Sequence, residues 1–435
     1  MTSILGSIYW LLLTLAALCV VSVVCGRTRA LRECKWFLQL AALIWMLTPL
    51  AKVLWIDSII EPADSILHEE IARTVADLLH SGDYAEALSY FAIGNPAYQF
   101  FLGVFYTLTG APEFVTCAVN SFLAYWGVLA LLEIYCLISK CRTAPHQMVY
   151  FYMLLPSALV WTSANLKEGP VFWGISMLLY RLAWDRRTAG RLRRGFPLLG
   201  FAVVAVLRPH IALLWCLAIF GIGVLRTRSM GAAVVALTGL IVGCVLVQQL
   251  RPELIASVSS DGVNDSLDSR YETLTSSEKY ASRHFTAVSP TPVLTGLSLI
   301  MFRPWPTEVL SLAELFAGLE VWCLASFGAY NWCRTRHRLR CLLDWDMVAM
   351  LLVLVLFGFF FTYMYNMGLV VRQRIMVFPA LLYVYAKPLL DSKSKVVNLR
   401  IPLGRRFAGS GYHRQPRSSS RYAPRRLGDV FISRP

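Results

Sequence analysis

Charge is what this 435-residue sequence has least of. Only 15% of its residues are Asp, Glu, Lys or Arg, against about 25% in an ordinary soluble domain. With 57% hydrophobic residues, the composition excludes a soluble globular enzyme and points to a membrane protein with many spans. Acids are the scarcer sign, 26 against 41 Lys and Arg. The surplus lies in short loops and the C-terminal stretch, so it reports membrane orientation rather than nucleic-acid binding. No pair among the 11 cysteines has C-x-x-C spacing, and residues 56–97 and 250–292 contain none. That excludes a disulfide framework and a zinc site. No basic residue precedes the first apolar run, Leu5 to Cys25, whereas Arg27, Arg29 and Arg32 follow it. A cleaved signal peptide needs the reverse order. The expectation is an uncleaved first helix with its N-terminus outside.

Apolar runs of about 20 residues mark spans, and Lys and Arg collect in cytoplasmic loops. On these rules the chain reads as an all-α polytopic integral membrane protein. About eleven transmembrane helices are expected, with re-entrant or interfacial pieces and two long outer loops. Residues 1–390 form the membrane domain, with outer loops at 56–97 and 250–292. Residues 391–435 carry 11 Lys/Arg against two acids and read as a basic, disordered cytoplasmic tail suited to anionic headgroups. In the first outer loop, Ile66, Leu67, Ile71, Val75, Leu78 and Leu79 recur at helical spacing. They predict an amphipathic helix over 64–79 lying on the membrane surface. Tyr98 to Thr109 is too short for a comfortable crossing and reads as re-entrant. Met148–Ser163 and Pro170–Trp184 read as spans flanking a charged break at 165–169. Phe196–Leu225 reads as two helices, because Arg208-Pro209 cuts it and basic loops lie on both sides.

On this topology Asp57, Glu61, Asp64, His68, Lys167, Glu168, Arg208, His210, Arg303, Arg372 and Arg374 fall on one face. Charges beside apolar spans are costly and usually face a cavity or a partner. Arginine presents a planar fork of donors to a phosphate or pyrophosphate. A carboxylate suits a general base or a divalent metal such as Mg or Mn. Asp57 and Asp64 are the candidate catalytic acids, and the remaining nine residues are candidate substrate ligands. Blander readings compete with these: Asp64 as a helix cap, His68 as a solvated surface residue, and Arg303, Arg372 and Arg374 as interface anchors.

The run Asp64, His68, Ala72, followed by Gly82 and by N-P-A-Y…L-T-G, resembles the first-loop pattern of the GT-C class of membrane glycosyltransferases, with His68 where Tyr is usual. L-P-S-A-L-V-W-T-S-A-N-L-K-E-G (Leu155–Gly169), L-R-P-H-I-A-L-L (Leu207–Leu214) and R-Q-R…P-A-L-L (Arg372–Leu382) resemble O-antigen-polymerase-like proteins of surface-polysaccharide assembly. The resemblance implies sugar transfer from a polyprenyl-linked donor to a glycan or lipid-linked acceptor. The setting would be the outer side of a bacterial inner membrane, among polysaccharide-assembly partners and membrane lipids, without nucleic acid. It also implies that Asp57 or Asp64 serves as base or metal ligand. No Asp-Asp or Asp-Glu doublet is present, so metal use stays open. Two other classes compete. A transporter or flippase of lipid-linked sugars would more often show internal repeats, and none is visible. A non-catalytic component of an export complex would depend on the basic tail.

Overall fold

A computed structural model describes residues 4–54, 63–183, 195–227, 293–309, 312–335, 341–361 and 367–393. The expected basic tail and second outer loop lie outside the described residues.

The described residues are helical throughout, with no strand. Helix α1 (Ile4–Arg27) turns through a 3₁₀ segment (Arg29–Cys34) into α2 (Lys35–Leu54), and both pack on α6 (Glu113–Ile138). α1, the Arg29–Leu54 stretch and α6 are each long and apolar enough to cross a membrane. These three mark the chain as a membrane protein. They are fewer than the eleven or so spans the sequence suggests; the candidate at Gly231–Gln249 lies outside the described residues. Prolines account for part of the difference. Met148–Ser163 is two short helices, α7 (His146–Met153) and α8 (Pro156–Thr162). Pro156 takes the first helical position of α8 and pushes Leu155 into extended backbone. The expected span Pro170–Trp184 falls on α9 (Glu168–Leu178) and α10 (Tyr180–Ala183), with Trp184 outside the described residues. The break at Arg208 falls where the sequence puts it: α11 (Phe196–Leu207) ends there, Arg208 is extended, and α12 (Pro209–Thr227) restarts the helix.

The first outer loop is mostly helix from residue 63 onward: α3 (Ala63–Ser81), α4 (Tyr84–Ser89) and the start of α5 (Asn95–Thr109). The period expected for α3 is present, but its inward face is a different one. Ser65, His68, Glu69, Ala72, Val75 and Ala76 are buried, while Ile66 and Leu67 are exposed. The helix turns small and polar side chains into the protein and apolar ones out. It lies directly on α5, where a Cβ added to Gly103 would come within 2.7 Å of the Ala72 carbonyl oxygen and the Val75 Cβ. The 15 residues of α5 run about 22 Å at 1.5 Å each, short of the roughly 30 Å of a bilayer core.

The second half adds α13 (Val293–Phe302), α14 (Leu312–Arg334), α15 (Trp345–Phe361), α16 (Met367–Arg374) and α17 (Phe378–Lys393). α6 is buried almost all round and sits among elements from both halves. Its Tyr135 hydroxyl donates to the Pro379 carbonyl of α17.

Candidate functional site

The helix breaks converge on one buried polar centre. Glu168, the first residue of α9, is fully buried. Its Oε1 accepts from Arg208 Nη2 and Arg372 Nε, both at 2.7 Å, and its Oε2 accepts from Arg372 Nη2 at 3.2 Å. Arg208 reaches it from the α11–α12 break and Arg372 from α16. Arg208 Nη1 also donates to Gln373 Oε1 at 3.1 Å. Arg372 Nη1 pairs with Asp64 in the first turn of α3. A charge held this deep is tolerated only when it is paired and hydrogen-bonded; here one carboxylate is shared by two guanidiniums.

Three donors in this centre have no partner among the described residues. Arg208 Nε is buried and unpaired. Lys167, beside Glu168, is buried, and no acid among the described residues forms an ion pair with its Nζ. Burial, reinforced by Arg208, pulls it down to about 7, so it titrates near neutrality. His68 is 2% exposed. Burial, then the charges of Lys167 and Arg372, bring its pKa down to about 4, leaving a neutral ring. The Gln99 amide nitrogen lies 2.9 Å from Nδ1, so the ring accepts there and carries its proton on Nε2, which is buried without a partner.

A layer of neutral groups supports the centre. Asn120 Nδ2 donates to the Tyr98 hydroxyl at 2.8 Å and to the Ala164 carbonyl at 2.7 Å, fixing the strand of backbone that carries Lys167 and Glu168. Thr116 donates to Asn165 Oδ1 at 2.6 Å, Asn165 Nδ2 donates to Glu69 Oε2 at 2.8 Å, and the Tyr106 hydroxyl donates to the same carboxylate. Gly169 lets this backbone approach α6: a Cβ there would lie 2.8 Å from the Asn120 carbonyl oxygen.

Beside the centre an apolar cavity of about 410 Å³ opens between α5, α6 and α11. Phe101, Leu102, Phe105, Leu123, Val203 and Val206 line it, with Tyr98 and Asn120 at its polar end and Leu207 next to Arg208.

The structure thus brings together Asp64, His68, Lys167, Glu168, Arg208 and Arg372. Arg374 belongs elsewhere: it is buried, and its Nη2 donates to the Leu299 carbonyl at 3.1 Å and to the Arg303 carbonyl. Arg303 is half-buried and contributes its backbone there. His210 is half-buried in the first turn of α12. Asp57 and Glu61 lie outside the described residues. His68 and Arg372 are buried ligands of the centre rather than a solvated side chain and an interface anchor. The helix already includes Ala63, so Asp64 sits in its first turn and not at the cap. Sequence reasoning missed Glu69, Gln99, Thr116, Asn120 and Gln373. Nothing in the spacing of Glu69, Gln99, Thr116 and Asn120 marks them, whereas Tyr98, Asn165 and Gln373 stand inside motifs already singled out. No group of three or more His, Cys, Asp or Glu able to hold a metal occurs among the described residues. Glu168 and Asp64 are each paired with a guanidinium, and the other two acids expected here, Asp57 and Glu61, lie outside the described residues. Set against known protein families, curated proteins and solved structures, the chain matches none.

Proposed function

We propose that the chain is a GT-C-like membrane glycosyltransferase or polysaccharide polymerase that takes sugar from a polyprenyl phosphate- or pyrophosphate-linked donor. The observation that carries this reading is a buried centre with more cationic donors than carboxylates, set against an apolar cavity. Among the described residues three cations, Lys167, Arg208 and Arg372, face two acids, Glu168 and Asp64. An anionic headgroup answers the surplus, and a hydrocarbon chain answers the cavity. In this reading the acceptor hydroxyl oxygen attacks the anomeric carbon and gives its proton to a first-loop carboxylate, Asp64 or Asp57. The bond from the anomeric carbon to the phosphate oxygen breaks, and the departing phosphate keeps the electron pair. Arg208, Arg372 and Lys167 stabilise the charge that builds on that oxygen. Direct displacement inverts the anomeric configuration. The site faces the extracytoplasmic side of a bacterial inner membrane, with the N-terminus outside, the basic tail cytoplasmic, about eleven spans in all and α5 re-entrant.

The test is transfer of labelled sugar from polyprenyl-linked donors by the purified chain in lipid, with Arg208→Ala and Asp64→Asn run alongside. Transfer that disappears in a well-folded Arg208→Ala supports the reading. Flipping of the same lipids without transfer would replace it with a transporter.

A further inference from the structure

The ion pair between Arg372 and Asp64 is unlike the others in this centre. Glu168 is enclosed on all sides, but the Asp64 side chain is 61% exposed while that of Arg372 is 10% exposed. Arg372 therefore has two inner nitrogens locked on Glu168 and one outer nitrogen, Nη1, closed by a carboxylate from the surface. His68 and Lys167 are buried close enough to Asp64, Arg372 and Glu168 to feel their charges. His68 Nε2 is buried and has no acceptor. A buried donor without a partner is costly, and an arriving acceptor would relieve that cost.

We infer that Asp64 is a stand-in anion: an incoming phosphate oxygen takes its place on Arg372 Nη1 and on the free donors of His68 and Lys167, and Asp64 swings into solvent as an uncommitted carboxylate. The inference rests on the function proposed above and deepens it. While Asp64 Oδ2 is held on Arg372, that oxygen is occupied and does not meet an acceptor hydroxyl. Donor binding and exposure of the base become one event, so an acceptor meets a competent base only when a donor is seated. The exchange breaks no covalent bond and leaves Arg372 paired throughout. It uses the asymmetry already present, because the exposed partner pays little to leave and the buried partner is never uncovered.

The experiment titrates inorganic pyrophosphate calorimetrically into the full chain in nanodiscs of neutral lipid. Asp64→Asn removes the competing charge and keeps the side-chain shape; it is expected to bind pyrophosphate about ten-fold tighter than wild type. Asp64→Glu restores a carboxylate and is expected to return to within about two-fold of wild type. Glu70→Gln removes an exposed carboxylate from the same helix without touching Arg372 and is expected to change affinity less than about two-fold. Equal binding by wild type and Asp64→Asn, an equal gain in Glu70→Gln, or no pyrophosphate binding by either Asp64→Asn or wild type would overturn the inference. The two proposals separate cleanly. Sugar transfer without a gain in Asp64→Asn leaves the transferase and sinks the exchange. A gain without transfer across a broad donor panel leaves the exchange and sinks the transferase.

Discussion

Helix α6 carries two buried polar centres about 20 Å apart, thirteen residues at 1.5 Å each from Asn120 to Glu133. Both are built around a glutamate, and they are built differently. Glu133 accepts from the hydroxyls of Thr28 and Tyr180, neutral donors drawn from the α1–α2 turn and α10. Glu168 accepts from two guanidiniums, and unpaired N–H groups of Arg208 and His68 remain beside it. The first arrangement ties elements together. The second holds surplus positive charge in a place shielded from water, where it acts on a ligand far more strongly than at the surface. Burial alone does not separate the two; the charge of the donors and the donors left over do.

Removing one charge from each centre is the strongest way to break this comparison. Glu168→Gln leaves two buried guanidiniums facing a neutral amide and is expected to destabilise the fold by about 3–5 kcal/mol. Glu133→Gln exchanges charge-assisted bonds from two hydroxyls for neutral ones and is expected to cost about 1.5–3 kcal/mol. Thermal unfolding in lipid measures both, and equal losses would erase the distinction. Next in size, Arg208→Ala is expected to lower sugar transfer at least about 100-fold, the loss seen when a donor to developing charge is removed. Thr28→Val is expected to leave transfer within about two-fold of wild type.

Packing gives a smaller effect. Gly103→Ala places a methyl against the Ala72 carbonyl and Val75 and is expected to cost about 1–3 kcal/mol. It should also reduce transfer, because α3 carries Asp64 and His68. Gly82→Ala, where nothing surrounds the added atom but the backbone has positive φ, should reduce stability by about 1 kcal/mol and leave transfer nearly unchanged. The smallest effect concerns pH. Lys167 is charged below about 7 and neutral above it, so an anionic donor is held tighter at pH 6 than at pH 9. Donor affinity is expected to fall about ten-fold or less as pH rises through 7. Lys167→Arg stays charged across that range and should flatten the profile, while a Glu133 variant should not alter it.

Much of this was legible in the residues, for reasons that also mark the limit. Arg208 before Pro209 breaks a helix by backbone sterics alone, and a charge at such a break has few places to go but inward. Lys167-Glu168 beside Pro170 reads the same way. The all-helical class follows from composition. The inward face of α3 did not follow, because the rule that apolar residues turn toward the protein assumes water outside. In a membrane protein the exposed Ile66 and Leu67 suit hydrocarbon, and Ser65, His68 and Glu69 are free to turn in. The pairing of Arg372 with Glu168 joins residues 204 apart in sequence, and no local pattern encodes it. Arg374, two positions on, looked equivalent and goes to backbone carbonyls instead, since alternate positions on a helix point apart.

That divergence has a dynamic consequence. The last turn of a helix is ordinarily quick to fray. Here three consecutive side chains are engaged in three directions: Arg372 on Glu168, Gln373 on Arg208, and Arg374 on the end of α13. Opening this turn requires releasing all three from buried surroundings together. Its amides should therefore exchange with solvent deuterium among the slowest in the chain, and α16 should behave as a pivot about which neighbouring elements move rather than as a segment that moves itself.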